Sequence, residues 1–260
     1  VLVADLVSKR LDFDDLAGFL GAAPDAEGEE LDPELARRAQ EQRARGKVLP
    51  DTPYDLAKLR AMDADVRLRA QRINAPRLPL DDMDAHLVLE NGLARLEPVN
   101  FGVAGGEIRA DVRMDARRDA ISTRLRAQVR GIELAQLFPD AELTRDAAGR
   151  LAGNISLTGG GNSIAAMLAS ADGDVALGMG RGEISNLLLE LAGIDIYESL
   201  KFLLGRDRKA QVRCAFADFD VASGTMQARA LAFDTSDTII VGQGQVDLEA
   251  ETLDIELRPR

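Results

Sequence analysis

The chain has 260 residues, 46% of them hydrophobic but only 4% aromatic, with no tryptophan and a formal net charge of -12. That length and apolar content support a sizeable core of small and branched aliphatics. The acidity excludes a nucleic-acid ligand, which needs a basic face to displace counterions, and opposes attachment to anionic headgroups, so any lipid would have to be held by its tails.

Residues 1–21 read as the end of a preceding β unit. Val1, Val3, Leu6 and Val7 form a strand, and Leu11, Phe13 and Leu16 then share the spacing of Ile132, Leu134 and Leu137. Residues 22–53 change character: Asp25, Glu27, Glu29, Glu30, Asp32 and Glu34 precede Arg37, Arg38, Arg43 and Arg45. Pro33 followed by Glu34 to Arg45 suits a helix whose acidic end comes first, where the helix dipole favours it. This stretch is expected to be a charged, exposed helical linker.

Residues 54–140 read as a first β repeat unit. Ala64, Val66, Leu68 and Ala70 alternate with charged residues, and Ala85, Leu87 and Leu89 alternate with His86 and Glu90. Asn91-Gly92 then makes a hairpin turn, and Gly105-Gly106 a second. Ile108, Ala110, Val112 and Met114 oppose Glu107, Arg109, Asp111, Arg113 and Asp115; Ile121, Thr123, Leu125, Ala127 and Val129 oppose Arg124, Arg126, Gln128 and Arg130. Strands with one oily and one wet face belong to half-solvated antiparallel sheets. Cross-strand pairing of Arg124, Arg126 and Arg130 with Glu107, Asp111 and Asp115 is the expected use of those charges.

Residues 141–260 read as a second unit. A loop after Pro139 leads to a strand at Leu151, Gly153, Ile155 and Leu157, a turn at Gly159-Gly160-Gly161, and a short helix from Ser163, its N-cap, to Ser170. A strand around Val175 and Leu177 passes through Gly178, Gly180 and Gly182 to an apolar helix, 186–204. There Leu189, Ala192, Ile196, Leu200 and Leu203 recur every three or four residues. Cys214, the single cysteine, alternates with Phe216 as a small apolar core residue would, and it excludes an internal disulfide. Gly242 and Gly244 mark a bulge or bend.

The two units are related. Asp81 to Leu125 lies in register with Arg213 to Leu257, each residue matching its counterpart 132 positions later: Ala85 with Ala217, Gly92 with Gly224, Phe101 with Phe233, Ile108 with Ile240, Asp115 with Asp247. Such a period marks a repeat architecture, in which each unit's apolar face is covered by its neighbour.

No constellation supports catalysis. His86 is the lone histidine and is expected to be a solvated strand residue, because a metal site or triad needs several such groups together. The clusters Asp81, Asp82, Asp84 and Asp12, Asp14, Asp15 lack the spacing of a calcium loop. The glycines at 178, 180 and 182 miss the dinucleotide fingerprint, and 159 to 161 lack the Lys and Ser/Thr of a phosphate loop. No cofactor is expected. No run approaches the length of a membrane span. The chain opens on Val1 and closes on Leu253, Ile255 and Leu257 in mid-strand idiom, so a targeting or anchoring segment is expected outside it.

The run Leu80-Asp81-Asp82-Met83 through Asn91-Gly92-Leu93, then Val99-Asn100-Phe101-Gly102-Val103-Ala104-Gly105-Gly106-Glu107-Ile108 and Asp111-Val112-Arg113-Met114-Asp115, resembles the C-terminal region of the AsmA-like proteins. So do Gly182-Glu183-Ile184-Ser185-Asn186-Leu187-Leu188-Leu189, leading into Ala192-Gly193-Ile194-Asp195, and Gly242-Gln243-Gly244-Gln245-Val246-Asp247-Leu248. The resemblance covers 54–260. It implies a Gram-negative envelope protein, periplasmic and tethered to the inner membrane by a segment outside this chain, without catalytic residues. It further implies a long β groove that shields phospholipid acyl chains.

The resulting expectation is a mainly β fold with a few helices: an extended, antiparallel, repeat-built curved sheet or groove with one apolar covering helix. Val66, Leu68, Leu87, Leu89, Ile108, Val112, Ile121 and Leu125 would form its lipid-facing wall, with Leu189, Ile196 and Leu200 of the covering helix. Phospholipid acyl chains are the expected partner. The alternative is a scaffold for outer-membrane protein assembly, with a closed core and envelope proteins as partners at its sheet edges.

Overall fold

A computed structural model describes residues 1–12, 47–74, 80–137, 149–184, 210–236 and 238–260. The alternating segments are extended, because period-two apolar patterning buries one face only when the chain is pleated. In chain order they are β1 (Leu2–Ser8), β2 (Leu11–Asp12), helix α1 (Leu56–Ala61), β3 (Ala64–Asn74), β4 (Leu80–Glu90), β5 (Leu93–Val103), β6 (Gly106–Asp115), β7 (Ile121–Glu133), α2 (Leu134–Leu137), β8 (Arg150–Gly161), α3 (Ile164–Ala169), β9 (Asp172–Met179), β10 (Gly182–Ile184), β11 (Ala210–Ala222), β12 (Thr225–Thr235), β13 (Ile239–Asp247) and β14 (Thr252–Pro259). The helices expected over Glu34 to Arg45 and over 186–204, and the loop after Pro139, lie outside the described residues.

Fourteen strands join one open, curved sheet ordered β1-β3-β4-β5-β6-β7-β8-β9-β11-β12-β13-β14. Short β2 continues β1 along β3, and β10 continues β9 along β11 in unbroken register. The ladder from β7 to β8 joins the strands before residue 140 to those after it in a single sheet. All ladders from β3 to β14 are antiparallel, as the half-wet strands require. One edge departs from that expectation: β1 and β2 pair with β3 in parallel. A parallel partner cannot be reached by a tight hairpin, so the chain returns to β3 through a long connection that includes α1.

The repeat extends to the irregularities of the ladders. Register shifts between Ala85 and Leu87 in β4–β5, and between Leu96 and Val99 in β5–β6, recur between Asp218 and Phe219 in β11–β12 and between Gln227 and Leu231 in β12–β13. In the last case the extra residue belongs to β12, so Gly242 and Gly244 face the bulge rather than forming it, and β13 stays continuous.

Two local expectations are corrected. Gly159-Gly160-Gly161 is not a turn but the end of β8. A Cβ at Gly159 would lie 2.2 Å from the Met167 carbonyl oxygen, and one at Gly161 would lie 2.6 Å from Ala166 Cβ, so the glycines let α3 rest directly on the strand. Ser163 caps that helix as expected, its Oγ accepting from Ala166 N at 3.1 Å. Cys214 and Phe216 are not core residues: both are exposed, Phe216 by 47%. A bulge between Val212 and Cys214 reverses the parity of β11, placing Ala215 and Ala217 on the apolar side with Val212.

Helices close the two ends of the apolar face. At the lower end, Leu59 and Met62 pack against Ala64, Leu89 and Ala94, while Tyr54, Leu56 and Met167 close over Ala116 and Ile121. The segment before α1 runs along this rim: Val48 N donates to Glu251 Oε2 at 2.6 Å, Ala165 N to Pro50 O at 2.8 Å, and Tyr54 N to Asn162 O at 2.9 Å. At the upper end, Leu137 packs on Val103, Ala104, Val129 and Ile132, and Leu134 packs on Met179 and Val212.

Candidate functional site

Cross-strand partners share a face, so the ladders define rows that run across the sheet. One row is continuous through all twelve strands of the main path: Ala4, Val66, Leu87, Leu96, Val112, Leu125, Leu157, Gly173, Val221, Met226, Val246 and Leu253. Every member is apolar or glycine. The adjacent row, Leu6, Leu68, Ala85, Val99, Ala110, Ala127, Ile155, Val175, Phe219 and Ala228, is equally apolar. At the usual strand spacing the first row is about 50 Å long.

The central part of this face is uncovered among the described residues. Of the twelve members of the continuous row only Val221 is fully buried; the others are half-buried, apart from Leu253, which is exposed. The result is an oily trough, with strands as its floor and the helix-capped strand ends as its rims. Near the upper rim of the second unit the floor deepens into an apolar hollow of about 380 Å³, lined by Leu134, Leu151, Leu177, Met179, Leu231 and Phe233 among others.

Val66, Leu68, Leu87, Ile108, Val112 and Leu125 all lie half-buried on this face. Leu89 and Ile121 share the face but are 2% and 0% exposed, sealed beneath the lower-rim segments, so they support the trough without lining it. Leu189, Ile196 and Leu200 lie outside the described residues. The floor of the second half of the sheet, including Leu157, Val175, Phe219, Val221 and Met226, was not among the residues expected to face lipid. The repeat itself carried the signal, since the offset takes Leu87 to Phe219 and Leu89 to Val221.

The opposite face carries the charges. His86 Nε2 lies 2.8 Å from Asp65 Oδ1 on this side, and no group of metal-ligating side chains occurs among the described residues. Arg229 bridges three strands, with Nη2 2.8 Å from both Asp174 and Asp218 and Nη1 3.5 Å from Asp220; these contacts hold its guanidinium well above the usual arginine range.

The pairing expected for the arginines of β7 is realised only in part. Arg130 reaches Glu107 at 3.6 Å. Arg124, however, stands directly opposite Arg113, and Asp115 engages Arg117 instead, accepting from both its Nε and its backbone N. Arg117 is only two residues away, and that proximity outcompetes the cross-strand partner. Its hydrogen bond holds the Asp115 carboxyl down at about 2.

A family model for the AsmA family matches residues 2–231. The chain is also similar to a curated relative, the AsmA family protein YhjG of Escherichia coli (strain K12): 32% identity over 261 residues, covering 99% of this chain and 38% of the relative. It therefore spans about two fifths of that protein's length. No solved structure matches.

Proposed function

The chain belongs to the AsmA family, and from that premise we propose that it forms a length of non-enzymatic hydrophobic trough in the bacterial envelope, receiving the acyl chains of phospholipids. The observation that carries this reading is the apolar row from Ala4 to Leu253, unbroken across twelve strands yet only partly buried along nearly all of it. A closed β core would bury such residues against a second layer.

Each methylene moved from water to this floor contributes about 0.8 kcal/mol, so a tail lying across several strands is held through area and needs no directional bond. Such contacts do not distinguish one position along the row from the next, which suits a path along which tails slide. The charged outer face keeps the rest of the sheet in water. No helix among the described residues is long and apolar enough to cross a membrane. Attachment to the inner membrane and a periplasmic location therefore belong, in this reading, to the intact protein.

The test is mass spectrometry of lipids extracted from the protein purified out of a Gram-negative host. Phospholipid is expected with the native chain and should be lost in a Val112→Asp/Leu157→Asp variant that keeps its circular dichroism spectrum. A folded native protein without lipid would overturn the reading. That outcome would favour a scaffold that pairs through its edges, for which one feature speaks: the edge strand β1 exposes Val3 by 74% and Val7 by 70%.

A further inference from the structure

We propose that the outer face of β5–β8 is a docking surface for an acidic polypeptide segment of a partner protein. This surface lies on the side of the sheet away from the trough and does not depend on what the trough holds.

Arg95, Arg113 and Arg124 stand directly opposite one another on three adjacent strands. Like charges in direct cross-strand register destabilise a sheet, so such a row needs counter-charge. Arg95 has it, since Nη2 lies 3.3 Å from Glu90 Oε2. Among the described residues no carboxylate lies within ion-pair distance of Arg113, Arg124 or Arg126, although Asp111 is the register partner of Arg126. Asp115, two residues from Arg113, is held by Arg117. In a chain of net charge -12, unpaired guanidinium groups so close together are a local reversal of sign.

Beside the row lies a hollow of about 630 Å³, whose walls include Asn100, Arg109, Arg126, Gln128 and Asn154 together with one carboxylate, Asp111. Asn100, Arg109, Gln128 and Asn154 are successive register partners, which sets side-chain amides next to the guanidinium groups. Amides match the donors and acceptors of a peptide backbone, and guanidinium forks match carboxylates.

An anionic membrane fits less well. The sign of the face switches at β8: the row Arg126, Ser156, Asp174, Asp220 passes from basic to acidic within three strand spacings. A broad negative surface would meet Asp174, Asp218 and Asp220 as soon as it met the arginines, whereas a peptide needs only the narrow basic stripe.

The test is fluorescence anisotropy of a labelled synthetic peptide of alternating glutamate and threonine, titrated with the whole chain. Saturable binding that weakens with salt is expected, as is a loss of at least about tenfold in Arg113→Gln/Arg124→Gln but not in Arg258→Gln. The double variant should also melt no lower than the native protein, since it removes a like-charge contact. Absence of peptide binding, or a clear fall in Tm of the double variant, overturns the proposal. Binding to phosphatidylglycerol vesicles in place of the peptide would overturn it in favour of a membrane. Peptide binding that emerges only after Asp25, Glu27, Glu29 and Glu30 are changed to Asn or Gln would overturn it in favour of the chain's own acidic stretch.

Discussion

Gly92 and Gly224 occupy equivalent turns in the two repeat units, with φ of 75° and 76°, and their carbonyls accept equivalent hydrogen bonds from Ala116 N at 2.8 Å and Leu248 N at 2.9 Å. Each is preceded by a residue that also has positive φ, Asn91 at 49° and Ser223 at 47°, which is the geometry of a two-residue hairpin matching strand twist. The surroundings differ. A Cβ at Gly224 would come within 2.2 Å of the Ala169 carbonyl oxygen at the end of α3, whereas one at Gly92 would first meet the flexible Arg60 side chain at 3.3 Å.

Replacing each glycine by alanine should therefore separate backbone strain from packing. Gly92→Ala is expected to cost about 1 kcal/mol, the penalty for forcing a side chain into positive φ. Gly224→Ala is expected to cost about 1–3 kcal/mol more, because α3 must shift. Urea denaturation of the two variants checks this, and equal losses would contradict the packing argument.

Ile121 and Leu157 share the apolar face but differ in cover, and their alanine variants should differ in kind. Ile121→Ala empties a fully buried site and is expected to cost about 2–5 kcal/mol. Leu157→Ala removes a partly buried side chain and is expected to cost about 1 kcal/mol. Lipid retention should show the reverse order, with Leu157→Ala losing more. Paired denaturation and lipid mass spectrometry on the same preparations measure both.

Asp115 supplies a pH signature. Its carboxyl is held at about 2 by the Arg117 hydrogen bond, below the roughly 3.9 of an unfolded aspartate. A depressed carboxylate favours the folded state at pH values above about 4, and that contribution is lost as pH falls towards about 2. Glu256, lowered by Arg258 and Gln243, acts in the same direction. Acid titration followed by circular dichroism should show a shallower loss of stability for Arg117→Gln than for the native chain across that window.

Arg229 contacts three carboxylates drawn from β9 and β11 and offsets part of their charge, while Arg258 bonds the single neighbouring Glu256. Arg229→Gln leaves Asp174, Asp218 and Asp220 facing one another, so its Tm should fall further than that of Arg258→Gln. Raising the ionic strength should narrow the gap, because these groups are solvent-accessible and their repulsion is screened. A gap insensitive to salt would mean that Arg229 acts through packing.

Much of the fold was legible locally. Alternation assigns each side chain to a face wherever the strand is regular, as from Ile121 to Val129, and the shared offset relates Asp81–Leu125 to Arg213–Leu257 before any strand is paired. The readings that failed share a cause. Gly159 to Gly161 has the composition of a turn, and nothing nearby in the chain records that α3 will lie on it. Cys214 follows the parity of Phe216, and only the bulge after Val212 reveals that this parity is the wet one. The arginines of β7 were paired by counting charges, but register set Arg124 against Arg113.

By itself, the sequence determined the pleat, the Asn91-Gly92 turn and the existence of one oily side, because each is written in residues adjacent along the chain or two apart, and it showed the repeat through residues 132 positions apart. Tertiary structure alone decided which part of that side is sealed and which is open. Ile121 and Leu125 are four residues apart on one strand and one face, yet Ile121 is buried beneath Tyr54, Leu56 and Met167 while Leu125 stays only half-buried. Burial depends on which remote segments come to rest above a residue, and that is settled by long-range packing that no local pattern encodes.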